Sequence, residues 1–194
     1  MKNLVITLGI TGAGKTTWLK DKFPVIETDD LRVELLNDIN NAQDGFIFET
    51  AAKAICILFD TYDTVYFGAT LVNSKYRIPF LQSIKDGCKH KFVIDIVIFP
   101  CIPKLSKERI TNDLKHGVLR ANSVKFVDKQ YEEYLYTMSN FDQEKDFYRS
   151  VKRAGEYRGW EGRIEKYEEE EEEKHMQDIR DETNWNLDTG GGEG

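Results

Sequence analysis

The sequence predicts an α/β fold with a central parallel β-sheet flanked by helices, and two observations carry that expectation. Strand-like apolar runs alternate with segments of helical spacing, the pattern of a parallel sheet covered on both faces. A glycine-rich turn follows the first apolar run and precedes the first helix, at the carboxyl end of a strand, where such sheets bind ligands.

The elements follow in order. Strands are expected at NLVITLG (3 to 9), PVIET (24 to 28), TVYFGATLV (64 to 72) and KFVIDIVIF (91 to 99). Helices are expected at about 15 to 22, 30 to 37, 46 to 62 and 74 to 85 between and after them. Beyond the fourth strand, 104 to 115 and 124 to 138 read as helices over the cleft, a helical lid, joined by HGVLRANS. The aromatic and charged mixture from 141 to 163 reads as a last helical layer. This arrangement sets Gly9 to Thr16, Thr28 to Arg32, and Gly68 to Asn73 on one rim of the sheet.

Charge is distributed unevenly over the 194 residues. The net charge is −7, but 161 to 194 holds 13 acidic and 4 basic residues, including six successive glutamates at 168 to 173. Residues 1 to 160 then carry 23 basic and 21 acidic side chains, so a working domain over 1 to 160 is near neutral and compatible with a polyanionic substrate. The remainder, 161 to 194, reads as an acidic tail, helical and then disordered. There is no apolar run of 18 residues and no cleavage pattern behind the short apolar start, so neither a membrane span nor an export signal is expected. Cys56, Cys88 and Cys101 match no metal-binding spacing, which fits a reducing cytoplasm, that of a host cell if the protein is viral.

GITGAGKTT at 9 to 17 satisfies G-x-x-x-x-G-K-[ST] in the strand-turn-helix context that the pattern requires. Gly9, Thr11, Gly12, Ala13 and Gly14 would fold their backbone N–H groups around phosphates at a helix start. Lys15 would reach the terminal phosphates of ATP, and the Thr16 hydroxyl would ligate Mg2+, with Thr17 completing the site. Nucleotide-hydrolysing switches and motors carry an acid at the end of a further apolar strand, and VYFGAT has none there. Asp95, in the middle of FVIDIVIF, is expected to make a structural pair rather than to bind metal.

The acids left on the rim are Asp29 and Asp30 in TDDLR. A kinase for an alcohol needs a carboxylate at the acceptor hydroxyl and positive charge near the transferring group. Asp29 and Arg32 lie three apart at a helix start and so share a face. An N-cap and a surface ion pair is the alternative for the same residues. Tyr131 and Tyr134 are read as a packing face before a base-stacking one, and His90, His116 and His175 are assigned no chemistry.

KNLVITLGITGAGKTTW, TDDLR, FETAAKAI and ATLVNSKYR together resemble the P-loop kinase domain of phage-type polynucleotide kinases, within the wider zeta-toxin-like P-loop kinases, over about residues 2 to 137. The resemblance implies ATP and Mg2+ as cofactors and transfer of the γ-phosphate to a 5′-hydroxyl of a nucleic acid, DNA ahead of RNA. It implies Asp29 as the base for the acceptor hydroxyl and Arg32 as a ligand of the acceptor phosphate. A lid cation is implied too; Lys115 fits the spacing best, with Arg109 and Arg120 as competitors. Asn73 and Arg77 are candidate substrate contacts. Ala69 stands where that family has an acid after its third strand. The departure keeps two further acceptors open: 5-hydroxymethyluracil in DNA, as in base hypermodification by a bacteriophage, and a small molecule such as a nucleoside or sugar nucleotide.

Overall fold

The computed structural model describes residues 1–39, 43–118, 124–141 and 148–154, all within one compact unit, Met1–Ala154. The expected domain end at 160, the acidic tail, Arg120 and His175 lie outside the described residues.

Five strands pair in the order β2-β3-β1-β4-β5: β1 (Lys2–Leu8), β2 (Val25–Glu27), β3 (Thr64–Gly68), β4 (Phe92–Ile98) and β5 (Ser150–Arg153). Every pairing is parallel. β1 is central, and Leu4 through Leu8 are buried without alternation, as expected of a strand covered on both faces. The connections after β1 and β4 leave toward opposite edges of the sheet. That is the switch point at which α/β sheets open a crevice.

The helices are α1 (Lys15–Leu19), α2 (Thr28–Leu36), α3 (Asp44–Leu58), α4 (Ser74–Gly87), α5 (Pro103–Lys115) and α6 (Val127–Ser139), the last preceded by a 3₁₀ turn at Val124–Phe126. α3 buries Ile47, Ala51, Ala52 and Ile55, and α4 buries Arg77, Phe80, Leu81 and Ile84, in each case one helical face. Phe80 locks the two helices to the sheet, with ring centroids 5.2 Å from Phe48 and 4.6 Å from Phe67. No helix among the described residues is long and apolar enough to cross a membrane.

Three expected boundaries shift. β2 stops at Glu27, and Thr28 already belongs to α2. β3 stops at Gly68 rather than near 72, because Leu71 and Val72 bury themselves as loop. Their carbonyls still need partners; Arg77 Nη1 donates to Leu71 O at 2.8 Å, and the Thr137 hydroxyl donates to Val72 O. Finally, part of the helical layer expected over 141 to 163 is a strand, since β5 pairs along the edge of β4.

Asp95 explains why β5 docks in that register. Its carboxylate accepts from Arg149 Nε at 3.0 Å and from the Ser150 hydroxyl at 2.7 Å, and Asp95 and Ser150 are register partners. Burial pushes this carboxyl up, but the bonds from Arg149, Ser150 and Asn3 outweigh burial and hold it below its ordinary value. A lowered folded-state value stabilises the fold above the unfolded-state value, and that stabilisation disappears as pH falls through the folded one. Asp95→Asn is therefore expected to cost about 1 kcal/mol at neutral pH. The difference from the unsubstituted protein should begin to shrink below about pH 4, the range of an unfolded-state aspartate, and vanish only once pH is below the lower folded-state value, as read by urea denaturation at a series of pH values.

Candidate active site

The phosphate loop occupies the crevice at the end of β1. Gly12 and Gly14 have φ of 80° and 95°, left-handed conformations that glycine adopts without strain. Gly12 also lies under α5, where a Cβ would stand 2.7 Å from the Ser106 carbonyl oxygen. Within the loop, Ala13 N donates to Ile10 O at 3.2 Å. Lys15 Nζ reaches back along it, donating to Gly9 O at 2.9 Å and Ile10 O at 2.8 Å. Thr16 and Thr17 are exposed on α1.

The Thr16 hydroxyl donates to Glu27 Oε1 at 2.8 Å. Glu27 ends β2, two strands from β1, and its register partner on the intervening β3 is Gly68. A Cβ on Gly68 would lie 2.9 Å from both Cγ and Oε1 of Glu27, so the carboxylate crosses the end of β3 through space that this glycine leaves. Burial is the largest cause raising the Glu27 carboxyl above its usual value; Asp30 and Asp29 add to it, while the Thr16 bond and Lys15 oppose it. Sequence reasoning missed Glu27, although its position two residues before Asp29 on the same rim was a usable signal.

Asp29 and Arg32 meet as their spacing predicts: Arg32 Nη1 donates to Asp29 Oδ1 at 2.9 Å within α2. The other arm of the guanidinium, Nη2, donates to Asp44 Oδ1 at 2.5 Å, at the start of α3. Arg32 is thus clamped between two carboxylates. Asp30 is exposed, and its carboxyl is raised by partial burial and by Glu34.

α5 and α6 cover the loop. Arg109 Nη1 donates to Gly12 O at 3.1 Å, whereas Lys115 is exposed in the last turn of α5, about 9 Å further along the helix axis. On α6, Gln130 Oε1 accepts from Thr11 N at 2.9 Å, and Glu133 Oε1 accepts from Asn73 Nδ2 at 2.9 Å. Asn73 caps α4, its Oδ1 accepting from Lys75 N at 2.9 Å. Arg77 is 1% exposed; it braces the loop after β3 and lies 5.2 Å from the Phe141 ring centroid. Its buried position gives it a scaffold contact where the sequence suggested a substrate one. Tyr131 and Tyr134 stack on each other at 6.3 Å, and His90 pairs with Asp60 at 2.6 Å.

The parallel sheet and its phosphate loop are those of a P-loop kinase-like fold. No family model and no curated protein matches the chain. Solved structures do: a chain of the Pnkp1/Rnl/Hen1 RNA repair complex is 16% identical with a TM-score of 0.61, the match covering 73% of this chain and 46% of that one. This chain therefore spans about half the length of that relative. A structure from the PezAT chromosomal toxin-antitoxin system of Streptococcus pneumoniae is also 16% identical, with a TM-score of 0.53, over 79% of this chain and 69% of that one. At these identities the likeness is one of fold.

Gly12→Ala is expected to destabilise the protein by about 1–3 kcal/mol, from the left-handed backbone and the approach of Ser106 together. Thermal unfolding without nucleotide measures this directly.

Proposed function

We propose that this chain is an ATP- and Mg2+-dependent phosphotransferase that moves a γ-phosphoryl group to an alcohol, with the 5′-hydroxyl of a nucleic acid, DNA before RNA, as its first acceptor. The carrying observation is the Asp29–Arg32 pair on the first turns of α2, whose strand is tied to the phosphate loop through Thr16 and Glu27. Lys15 and the loop N–H groups hold the phosphates. Asp29 takes the acceptor proton, and Arg32 fixes the orientation of that carboxylate. Arg109, already on the loop, serves as the lid cation ahead of Lys115. Asn73 and the residues around Arg77 shape the acceptor side.

Magnesium fits the donors present. A threonine hydroxyl beside a carboxylate is an all-oxygen setting, and this ion takes few protein ligands and completes its shell with water and substrate phosphate. No group of three acidic, histidine or cysteine side chains among the described residues would bind a metal unaided. When bound, the ion supplies charge neutralisation on the phosphates.

One observation favours a second reading, in which Arg32 does not hold a phosphate next to the accepting hydroxyl: the acceptor is a hydroxymethyl group on a DNA base, or a small molecule. The arm of Arg32 that an acceptor phosphate would need is engaged by Asp44. Asp44 also borders a largely apolar cavity of about 740 Å³ between α3 and α4, lined by Phe48, Tyr76, Pro79 and Phe80.

Transfer of labelled γ-phosphate separates these readings. Asp29→Ala should lower transfer by about 10²- to 10⁴-fold while leaving ATP binding intact; unchanged transfer would remove Asp29 from the chemistry. Label on free 5′ ends supports the first acceptor. Label confined to end-blocked DNA with 5-hydroxymethyluracil, or to nucleosides and sugar nucleotides, supports the second. In that second case Asp44→Asn is expected to raise transfer to phosphate-bearing acceptors, measured on the same panel.

A further inference from the structure

β3 ends in TVYFG and continues into Ala69, with no carboxylate on its rim side. A nucleotide-binding loop of this type nevertheless needs an acid near its threonine to hold magnesium and its water shell. The acids near the rim differ in what they contact, and Asp30, close enough to raise the Glu27 carboxyl, is exposed on α2 beside Glu34. Asp95 is held by Arg149 and Ser150 on the other side of β1. Asp29 and Asp44 are held by Arg32. Glu27 contacts the loop threonine itself, at 2.8 Å.

From this geometry we infer that Glu27 is the magnesium-site carboxylate of this protein, supplied by β2 across the side-chain-free end of β3 instead of by β3 itself. Three facts converge on it. Glu27 and Gly68 are register partners at the ends of adjacent strands, so either could present a side chain to the same rim. The Glu27 carboxylate oxygen lies 2.9 Å from where a Cβ of residue 68 would be, so the carboxylate fills the volume in which a β3 acid would begin. The Glu27 carboxylate does reach the loop from β2, its Oε1 accepting from the Thr16 hydroxyl at 2.8 Å, and the methylene that glutamate has beyond aspartate supplies part of that reach. A Cβ at position 68 would meet Leu19 Cδ1 at 2.6 Å and the Glu27 side chain at 2.9 Å, so a side chain there would have to push one or both aside.

The inference rests on the phosphotransferase reading, and its test is one of binding, not turnover. The affinity of the full-length protein for a non-hydrolysable ATP analogue is measured by calorimetry with magnesium and with chelator, for the unsubstituted protein, Glu27→Gln and Glu27→Asp. Glutamine keeps the size and an acceptor for Thr16, so the loop stays supported, and a thermal melt checks the fold. Magnesium is expected to tighten binding to the unsubstituted protein. Glu27→Gln should lose about 10- to 100-fold of that metal-dependent gain, with an affinity in chelator that does not fall because the substitution also removes a negative charge beside the phosphates, and Glu27→Asp should retain part of the gain. An equal magnesium effect in all three proteins overturns the inference and leaves the phosphotransferase reading standing. No binding of the analogue to the unsubstituted protein overturns both.

Discussion

β1 and β2 are not neighbours in the sheet, yet the working rim depends on their being joined. The join is the hydrogen bond from Thr16 to Glu27, which passes over the end of β3. It adds a side-chain tie to the β2–β3–β1 backbone ladder that places the start of α2, and with it Asp29 and Arg32, relative to the phosphate loop. A carboxylate at this position is costly, because burial and two nearby aspartates disfavour its charge. The Thr16 hydroxyl and the Lys15 ammonium offset only part of that cost, so the charge balance of the loop and of the β2 end are set together.

The fold was largely legible in the sequence because its central strands are apolar on both faces and punctuated by glycines. The glycine-rich turn between β1 and α1 was legible too, and the left-handed Gly12 and Gly14 answer a local backbone requirement. What escaped reading was non-local. The position of Glu27 two residues before Asp29 was a local signal, but its reach across β3 depends on Gly68 opposite it, which no local pattern shows. β5 has only four residues, SVKR, and owes its pairing to Asp95, more than fifty positions earlier. Arg77 follows the rim in sequence but turns inward, because the carbonyls of the loop after β3 need a donor where water does not reach.

Electrostatics around the start of α2 are set by neutralisation within the protein. Asp29 and Asp44 share one guanidinium, and Arg32 is 12% exposed at its side chain. A fixed cation of this kind holds its carboxylates in place more than it attracts anions from a distance. Affinity for a charged acceptor would have to come from elsewhere on the rim, whereas shape and apolar contact are available beside Asp44.

Gln130, Glu133 and Thr137 are three and then four residues apart and so project from one side of α6. They bond respectively to Thr11 of the phosphate loop, to Asn73, and to the Val72 carbonyl in the loop after β3. A single rigid rod is pinned to both loops that flank the crevice. A tilt of that rod cannot reach one loop without reaching the other, so the loop after β1 and the loop after β3 share a common mechanical support.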